Sequence, residues 1–231
     1  MNTLHLGLSR YYSKEQLNKI GATRVFIAGC GGLGSNVAHL LVRSGFINLT
    51  LMDYDTVEPS NLNRQFFFPD QIGMEKTRAL AENLLRLNPR LNLNLISKKF
   101  DDSFDPSKTY VESHVYKDNT PSYTFKEYDH LNKGADILQN QDIYVEAFDS
   151  PASKALFVSS TLPMGKPVIC ASGIAGYGNT DNISIKHRRP NLYIVGDGKT
   201  GIDTHPPLAP RVNVAAAKQA DLVLTLTLDA K

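Results

Sequence analysis

Apolar residues along this chain recur in two patterns. Compact runs of β-forming residues alternate with stretches in which leucine and valine return every three or four positions. Residues 24–28 (RVFIA) are the first compact run and predict a buried strand. Glycines follow. Residues 36–43 (NVAHLLVR) then show helical spacing up to Gly45, a suitable C-terminal stop. Residues 49–53 (LTLMD) predict a second strand. Strand, turn, helix and strand within about 30 residues make a βαβ unit, which builds parallel sheet through right-handed crossovers.

The alternation continues. Residues 76–87 (KTRALAENLLRL) place Leu80, Leu84 and Leu87 on one helical face, and Asn88-Pro89 ends the helix. Residues 91–96 (LNLNLI) alternate, which suits a strand near a sheet edge. Strand patterns return at 142–147, 168–171, 182–186 and 192–195, with a proline-initiated helix at 151–162. Residues 212–228 begin as a small-residue helix that closes the chain. A short amphipathic helix over 10–20, marked by Tyr11, Leu17 and Ile20, precedes the first strand. Residues 101–135 break the rhythm: they are polar, charged and aromatic without a period, and predict a long surface insertion. His114 and His130 lie there without metal-ligand spacing and read as solvated. No internal repeat or linker interrupts the chain. The expected fold class is α/β: a Rossmann-like, mostly parallel sheet flanked by helices, with a strand-rich C-terminal part. One domain would span 1–231, its nucleotide-binding core over 24–100 and the rest of its sheet and closing helix over 142–228.

Composition narrows the class. The 231 residues are 42% hydrophobic and 21% charged, with a formal charge of +2. That is enough chain for a real core and too balanced to favour nucleic acid. No apolar run approaches the roughly 20 residues that span a bilayer, so no membrane association is expected. The N-terminus lacks the apolar core of a signal peptide, and the chain reads as cytosolic. Its two cysteines, Cys30 and Cys170, form no CxxC pair, so counting excludes a four-cysteine zinc site. Both read as small buried residues.

The chemistry begins at Gly29-Cys30-Gly31-Gly32-Leu33-Gly34, a G-x-G-x-x-G turn set between a strand and a helix. Glycine lets backbone N–H groups approach a phosphate, and the helix N-terminus favours an anion. Asp53 ends the second strand about 20 residues on, where a carboxylate binds a ribose hydroxyl. Alone this predicts a nucleotide site, against a glycine turn kept for packing. The next motif separates ATP from NAD. Asp53-Tyr54-Asp55 leads into Ser60-Asn61-Leu62-Asn63-Arg64-Gln65. A hydride-transfer site has no use for that arginine and those asparagines, whereas an enzyme that cleaves ATP does: guanidinium pairs with phosphate oxygens. Lys76 opens the following helix as a second candidate cation, with a solvated helix-start lysine as its plainer reading.

These strings are familiar together. GCGGLGSNVAHLLVRSGF, LMDYDTVEPSNLNRQ and IGMEKTRALAENLLRLNP resemble the ThiF/MoeB adenylyltransferases, bacterial relatives of ubiquitin-activating enzymes. EAFDSPASK, CASGIAGYGN, VGDGKT and LAPRVNVAAAKQADLVL extend the resemblance over most of the chain, the 101–135 insertion excepted. The lack of CxxC pairs points to the shorter, zinc-less ThiF branch associated with thiamine synthesis. The resemblance implies a ThiF-type adenylation domain. It would use ATP and Mg²⁺, and no zinc, to adenylate the C-terminal Gly-Gly carboxylate of a ThiS-like sulfur-carrier protein. Gly29, Gly31, Gly32, Gly34, Asp53, Asp55, Asn61, Arg64 and Lys76 would bind the nucleotide. Arg64, Lys76 and Asp149 would carry catalysis, with Asp149 meeting Mg²⁺ through ATP. Asp149 has an alternative as N-cap of the 151–162 helix, a role Ser150 would serve equally.

The family forms symmetric dimers, so a homodimer is expected. Relatives carry Arg-Tyr-x-Arg near the N-terminus, where the second arginine reaches ATP across the dimer. Arg10-Tyr11-Tyr12-Ser13 keeps only the first, and Arg10 or Lys14 is the remaining candidate. Long ThiF forms use a cysteine for sulfur, a role Cys170 is not assigned. Three rivals stand. An NAD- or FAD-dependent oxidoreductase explains the glycines and Asp53 but leaves SNLNRQ idle. The same adenylation could serve a MoaD-like molybdopterin carrier, a peptide or a modified tRNA base. A binding module without catalysis would be expected to lack Arg64, Lys76 or Asp149, and all three are present.

Overall fold

A computed structural model describes residues 3–106, 109, 111–114, 126–128 and 134–229. Two short helices, α1 (Thr3–Leu8) and α2 (Lys14–Ala22), precede β1 (Arg24–Ala28), α3 (Gly32–Arg43), β2 (Asn48–Met52), α4 (Lys76–Leu87) and β3 (Asn92–Ile96). Then come β4 (Val111–His114), β5 (Lys126–Tyr128), α5 (Gly134–Gln139), β6 (Ile143–Glu146), α6 (Pro151–Thr161) and β7 (Val168–Ala171). The antiparallel pair β8 (Ser184–Arg189) and β9 (Leu192–Gly196) leads to α7 (Ala209–Leu228).

Among the described residues the strands join one sheet of nine, in the order β5-β4-β3-β2-β1-β6-β7-β9-β8. The pairs from β3 through β9 are parallel. Antiparallel strands lie at each end. From β1 the chain runs outward to β2 and β3, then returns to β6 on the other side of β1. This reversal opens a crevice beyond the carboxyl ends of β1 and β6, where α/β sheets bind ligands.

Both sheet faces are covered, as the near-continuous apolar runs of a parallel sheet require. Val25 and Ile27 of β1 face the larger core, with Val37 and Leu41 of α3, Leu80 and Leu84 of α4, and Ala216 and Val223 of α7. Phe26 and Ala28 point the other way, into a core with Phe100, Tyr144 and Phe157. There the Phe157 ring lies 5.7 Å from Phe26 and 5.2 Å from Phe100 between centroids. No helix among the described residues is long and apolar enough to cross a membrane.

Six sequence expectations change. The helix expected over 10–20 starts only at Lys14, and a separate short helix, α1, lies ahead of it at Thr3–Leu8. Ser13 is the N-cap of α2, in a reciprocal box with Gln16, so the chain turns at Arg10–Tyr12. The helix expected from Asn36 begins at Gly32, inside the glycine run. The insertion is partly sheet: β4 and β5 extend it beyond β3. His114 is therefore buried on β4 rather than solvated, and burial lowers its pKa, opposed by a backbone bond at Pro89. His130 lies outside the described residues. Finally, β8 begins at Ser184, because Thr180–Asn182 form a 3-10 turn. The α7 helix begins earlier than expected, at Ala209, with a proline tolerated in its first turn.

Candidate functional site

The crevice holds a cavity of about 640 Å³, within the range of small-molecule sites. Its floor is the glycine turn. Gly29 adopts φ +99°, and a Cβ there would lie 2.7 Å from the Ala147 carbonyl oxygen. A Cβ on Gly34 would lie 1.7 Å from the Gly29 oxygen. Glycine at both positions lets β1, α3 and the turn after β6 close on one another. Gly31 caps α3 without a side-chain bond, so the N–H groups of the first turn stay available to an anion.

Asp53 fastens this floor. Its Oδ2 accepts the Cys30 N–H at 2.7 Å and its Oδ1 accepts the Asp55 N–H at 2.9 Å. Burial raises its pKa, opposed by Lys76 and those two N–H groups. It lines the cavity as well.

Two residues at the start of α3 tie the floor to the SNLNRQ motif. Ser35 Oγ donates to Gly31 O at 2.6 Å and accepts the Phe66 N–H at 3.0 Å. Asn36 Nδ2 donates to Gly32 O at 2.7 Å and to Arg64 O at 2.9 Å. Arg64 is thereby laid across the turn, its Cγ 3.4 Å from where a Gly32 Cβ would sit. Its guanidinium donates to Ser60 O and Asn63 Oδ1. Burial lowers its pKa and nearby Asp149 opposes the shift. Lys76, 7% exposed, opens α4 and donates from Nζ to Asp55 Oδ2 at 2.8 Å. Burial presses its pKa down, but Asp53 and Asp55 outweigh it and hold the ammonium above the ordinary lysine value.

Gly29, Gly31, Gly32, Asp53, Asp55, Arg64, Lys76 and Asp149 all line the cavity. Gly34 and Asn61 do not. Gly34 serves the packing just described. Asn61 is buried, with Oδ1 accepting the Glu58 N–H at 3.0 Å. Neither Arg10 nor Lys14 is part of the lining.

Ser150, not Asp149, caps α6, through an acceptor contact from Ser153 N at 3.4 Å. Asp149 is left exposed in the cavity wall, its carboxylate without a hydrogen bond from the described residues. No group of three His, Cys, Asp or Glu able to cage a metal occurs among them. A single free carboxylate of this kind suits Mg²⁺, which is held mainly by phosphates and water.

The outer wall comes from the two loops flanking β8 and β9. Thr200, Gly201 and Ile202 lie in one, Ile174 and Ala175 in the other. Arg211 of α7 fastens both, donating to Gly178 O at 2.7 Å, Asn179 O at 3.1 Å and Asp197 Oδ2 at 2.7 Å. Burial works against the Asp197 carboxylate, yet the N–H groups of Thr200 and Lys199, the Thr200 hydroxyl and Arg211 pull its pKa down to about 2. Cys170 is buried, and burial pushes its thiol up to about 12, far from a reactive thiolate. Sequence reading missed Ser35, Asn36, Lys154 and Arg211 as parts of this site. Only Asn36, beside the glycines, carried a local signal.

The ThiF family model matches residues 4–201. Ubiquitin-like modifier-activating enzyme 5 of Arabidopsis thaliana is 38% identical over 117 residues, covering 51% of this chain and 27% of that protein. The chain therefore spans well under half the length of that relative. Among solved structures, E. coli tRNA N6-threonylcarbamoyladenosine dehydratase (TcdA) in complex with ATP has the same fold. The TM-score is 0.74 at 18% identity, over 96% of this chain and 92% of that one. E. coli MccB with AMPCPP and MccA gives 0.61 at 25% identity, over 94% and 59%.

Proposed function

The chain belongs to the ThiF family, and from that premise we propose that it is an ATP-dependent adenylyltransferase acting on the C-terminal Gly-Gly carboxylate of a ThiS-like sulfur-carrier protein. One observation carries this reading. A single cavity gathers an uncapped helix N-terminus, two cations from separate motifs and a carboxylate with no hydrogen bond from the described residues.

The acceptor carboxylate is ionised at neutral pH and needs no general base. Its oxygen attacks the α-phosphorus, an O–P bond forms, and the bond to the β-phosphate breaks to release pyrophosphate. What the protein must supply is alignment and neutralisation of growing negative charge. The N–H groups at Gly31 and Gly32 and the Arg64 guanidinium face the phosphates. Lys76, kept protonated by Asp53 and Asp55, adds the second cation. Asp53 turns its remaining acceptor capacity to the ribose. Asp149 would hold Mg²⁺ brought in with the nucleotide, and the ion would neutralise the phosphates further. A symmetric dimer, as in the family, is part of this reading.

A second reading keeps the chemistry and changes the acceptor. The edge strand β8 carries Lys186, His187, Arg188 and Arg189 in succession, a cationic run suited to tRNA. Pyrophosphate exchange separates the readings. Label enters ATP only with an intact Gly-Gly carrier if the first is right. Exchange with tRNA alone supports the second. Exchange with neither removes the adenylation proposal.

A further inference from the structure

We propose that Lys154 is a positioning residue for Asp149, acting through Glu146; the inference rests on the reading of Asp149 just given. Glu146 is the last residue of β6 and is 1% exposed. Lys154 lies one turn into α6, and its Nζ stands 3.0 Å from both Glu146 carboxylate oxygens. The same Nζ donates to Ala171 O at 3.3 Å, at the end of β7. One ammonium therefore clasps the ends of two neighbouring strands to the start of a helix. Glu146 Oε1 also accepts the Phe148 N–H at 2.7 Å, so the turn from Glu146 to Lys154 is closed as a ring.

Every other member of that ring is committed. The Ala147 carbonyl packs against Gly29, where no Cβ fits. The Phe148 ring lies 5.9 Å from Phe157 in the second core. Ser150 caps α6. Asp149 is the ionisable side chain of the turn that takes no hydrogen bond from the described residues, and it lines the cavity. Its place is set by the ring, and the ring is closed by Lys154.

Direct contact between Lys154 and a ligand is the competing role, since this side chain lines the cavity and also a neighbouring apolar groove of about 790 Å³. An ammonium has three protons. Two carboxylate oxygens and the Ala171 carbonyl take all three, which leaves no donor for a ligand. A burial-only role is the other competitor, and it makes a different prediction.

The test is calorimetric titration of the full chain with ATP at a series of Mg²⁺ concentrations. Lys154→Met alone strands a buried carboxylate, so Lys154→Met/Glu146→Gln, which removes both charges, is the working variant and should fold. Partners that orient a metal-facing ligand are typically worth about 10–100-fold in affinity. The paired variant should weaken Mg-ATP about tenfold, raise the Mg²⁺ midpoint, and leave ATP binding in EDTA unchanged. Asp149→Asn should do the same. Adding it to the paired variant should cost no more than Asp149→Asn alone, because both act through one carboxylate. Multiplicative effects, or an unmoved Mg²⁺ midpoint in the paired variant, overturn the proposal and leave the reading of Asp149 standing. No effect of Asp149→Asn removes that reading and this inference with it.

Discussion

Two ion pairs serve the cavity, Lys76–Asp55 in its lining and Arg211–Asp197 behind its outer loops, and they are built differently. In Arg211–Asp197 both side chains are nearly covered, at 3% and 10% exposure. The guanidinium reaches four acceptors through its two terminal nitrogens and the carboxylate four donors, and the buried Arg211 Nε is left without a hydrogen bond among the described residues. In Lys76–Asp55 the ammonium is 8% exposed but its partner is 41% exposed. A single bond joins them, and two ammonium protons remain uncommitted towards the cavity. The first arrangement holds loops in place. The second holds a cation ready for something else. Burial of a charge is common to both, and donors left free in the cavity lining tell machinery from scaffold.

The sharpest way to break this comparison is Arg211→Met. Removing one partner of a buried pair costs about 3–5 kcal/mol, because the other charge stays buried and unpaired. Urea unfolding should show a loss of that size. Arg211→Met/Asp197→Asn should recover much of it. A loss below about 1 kcal/mol would mean that the pair contributes no more than a surface one.

Lys76→Met should act in the opposite sense. Its hydrogen-bonded partner Asp55 is exposed enough to rehydrate, while buried Asp53 loses the ammonium that offsets its burial, so stability should fall by about 1–3 kcal/mol, less than for Arg211→Met. Pyrophosphate exchange should fall by about 10²–10³, the effect of deleting one preorganised charge-stabilising donor. A variant that loses about 3–5 kcal/mol yet keeps full exchange would reverse the assignment of the two pairs.

The same contrast explains what was legible in the sequence. The glycine turn, Asp53, Arg64 and Lys76 lie in strings whose local pattern implies their backbone geometry, and all of them line one cavity. Chain-adjacent chemistry is readable. Arg211 is not, because its partners Gly178, Asn179 and Asp197 lie 14 to 33 residues away. Lys154 read as an ordinary helix residue, since nothing local says that Glu146 is buried. The parallel sheet was visible in its apolar runs. The strands β4 and β5 were not, because Val111–His114 (VESH) and Lys126–Tyr128 (KEY) carry too few apolar residues to signal a strand. At 10–20, amphipathic spacing suggested one helix. Ser13 and Gln16 instead form a start signal that the periodicity overrode.

Acid should separate the walls next. Asp197 titrates at about 2, below its ordinary 3.8. A carboxylate depressed in the folded state contributes stability that is present above its unfolded pKa and lost as pH falls through the folded one. The outer loops should therefore loosen between about pH 4 and pH 2, seen as amide exchange at 198–205. That step should be absent in Arg211→Met/Asp197→Asn. Asp53 is opposite in sign: burial raises its pKa, so its charged form costs stability as pH rises through the carboxylate range.

Asn61 gives the smallest effect. The family resemblance assigns it to the ATP phosphates, while its side chain is buried and its Oδ1 accepts the Glu58 N–H, closing the 3-10 turn that precedes Arg64. A lost cap of this kind typically costs about 1 kcal/mol. Asn61→Ala should lower stability by that amount, and ATP affinity should change only as far as Arg64 shifts. The check is a cycle. In an Arg64→Ala background, Asn61→Ala should have no further effect on ATP affinity, since its only route to the nucleotide is gone. A further drop there would mean that Asn61 itself reaches the phosphates after rearranging on binding, and the turn would have to open to let it do so.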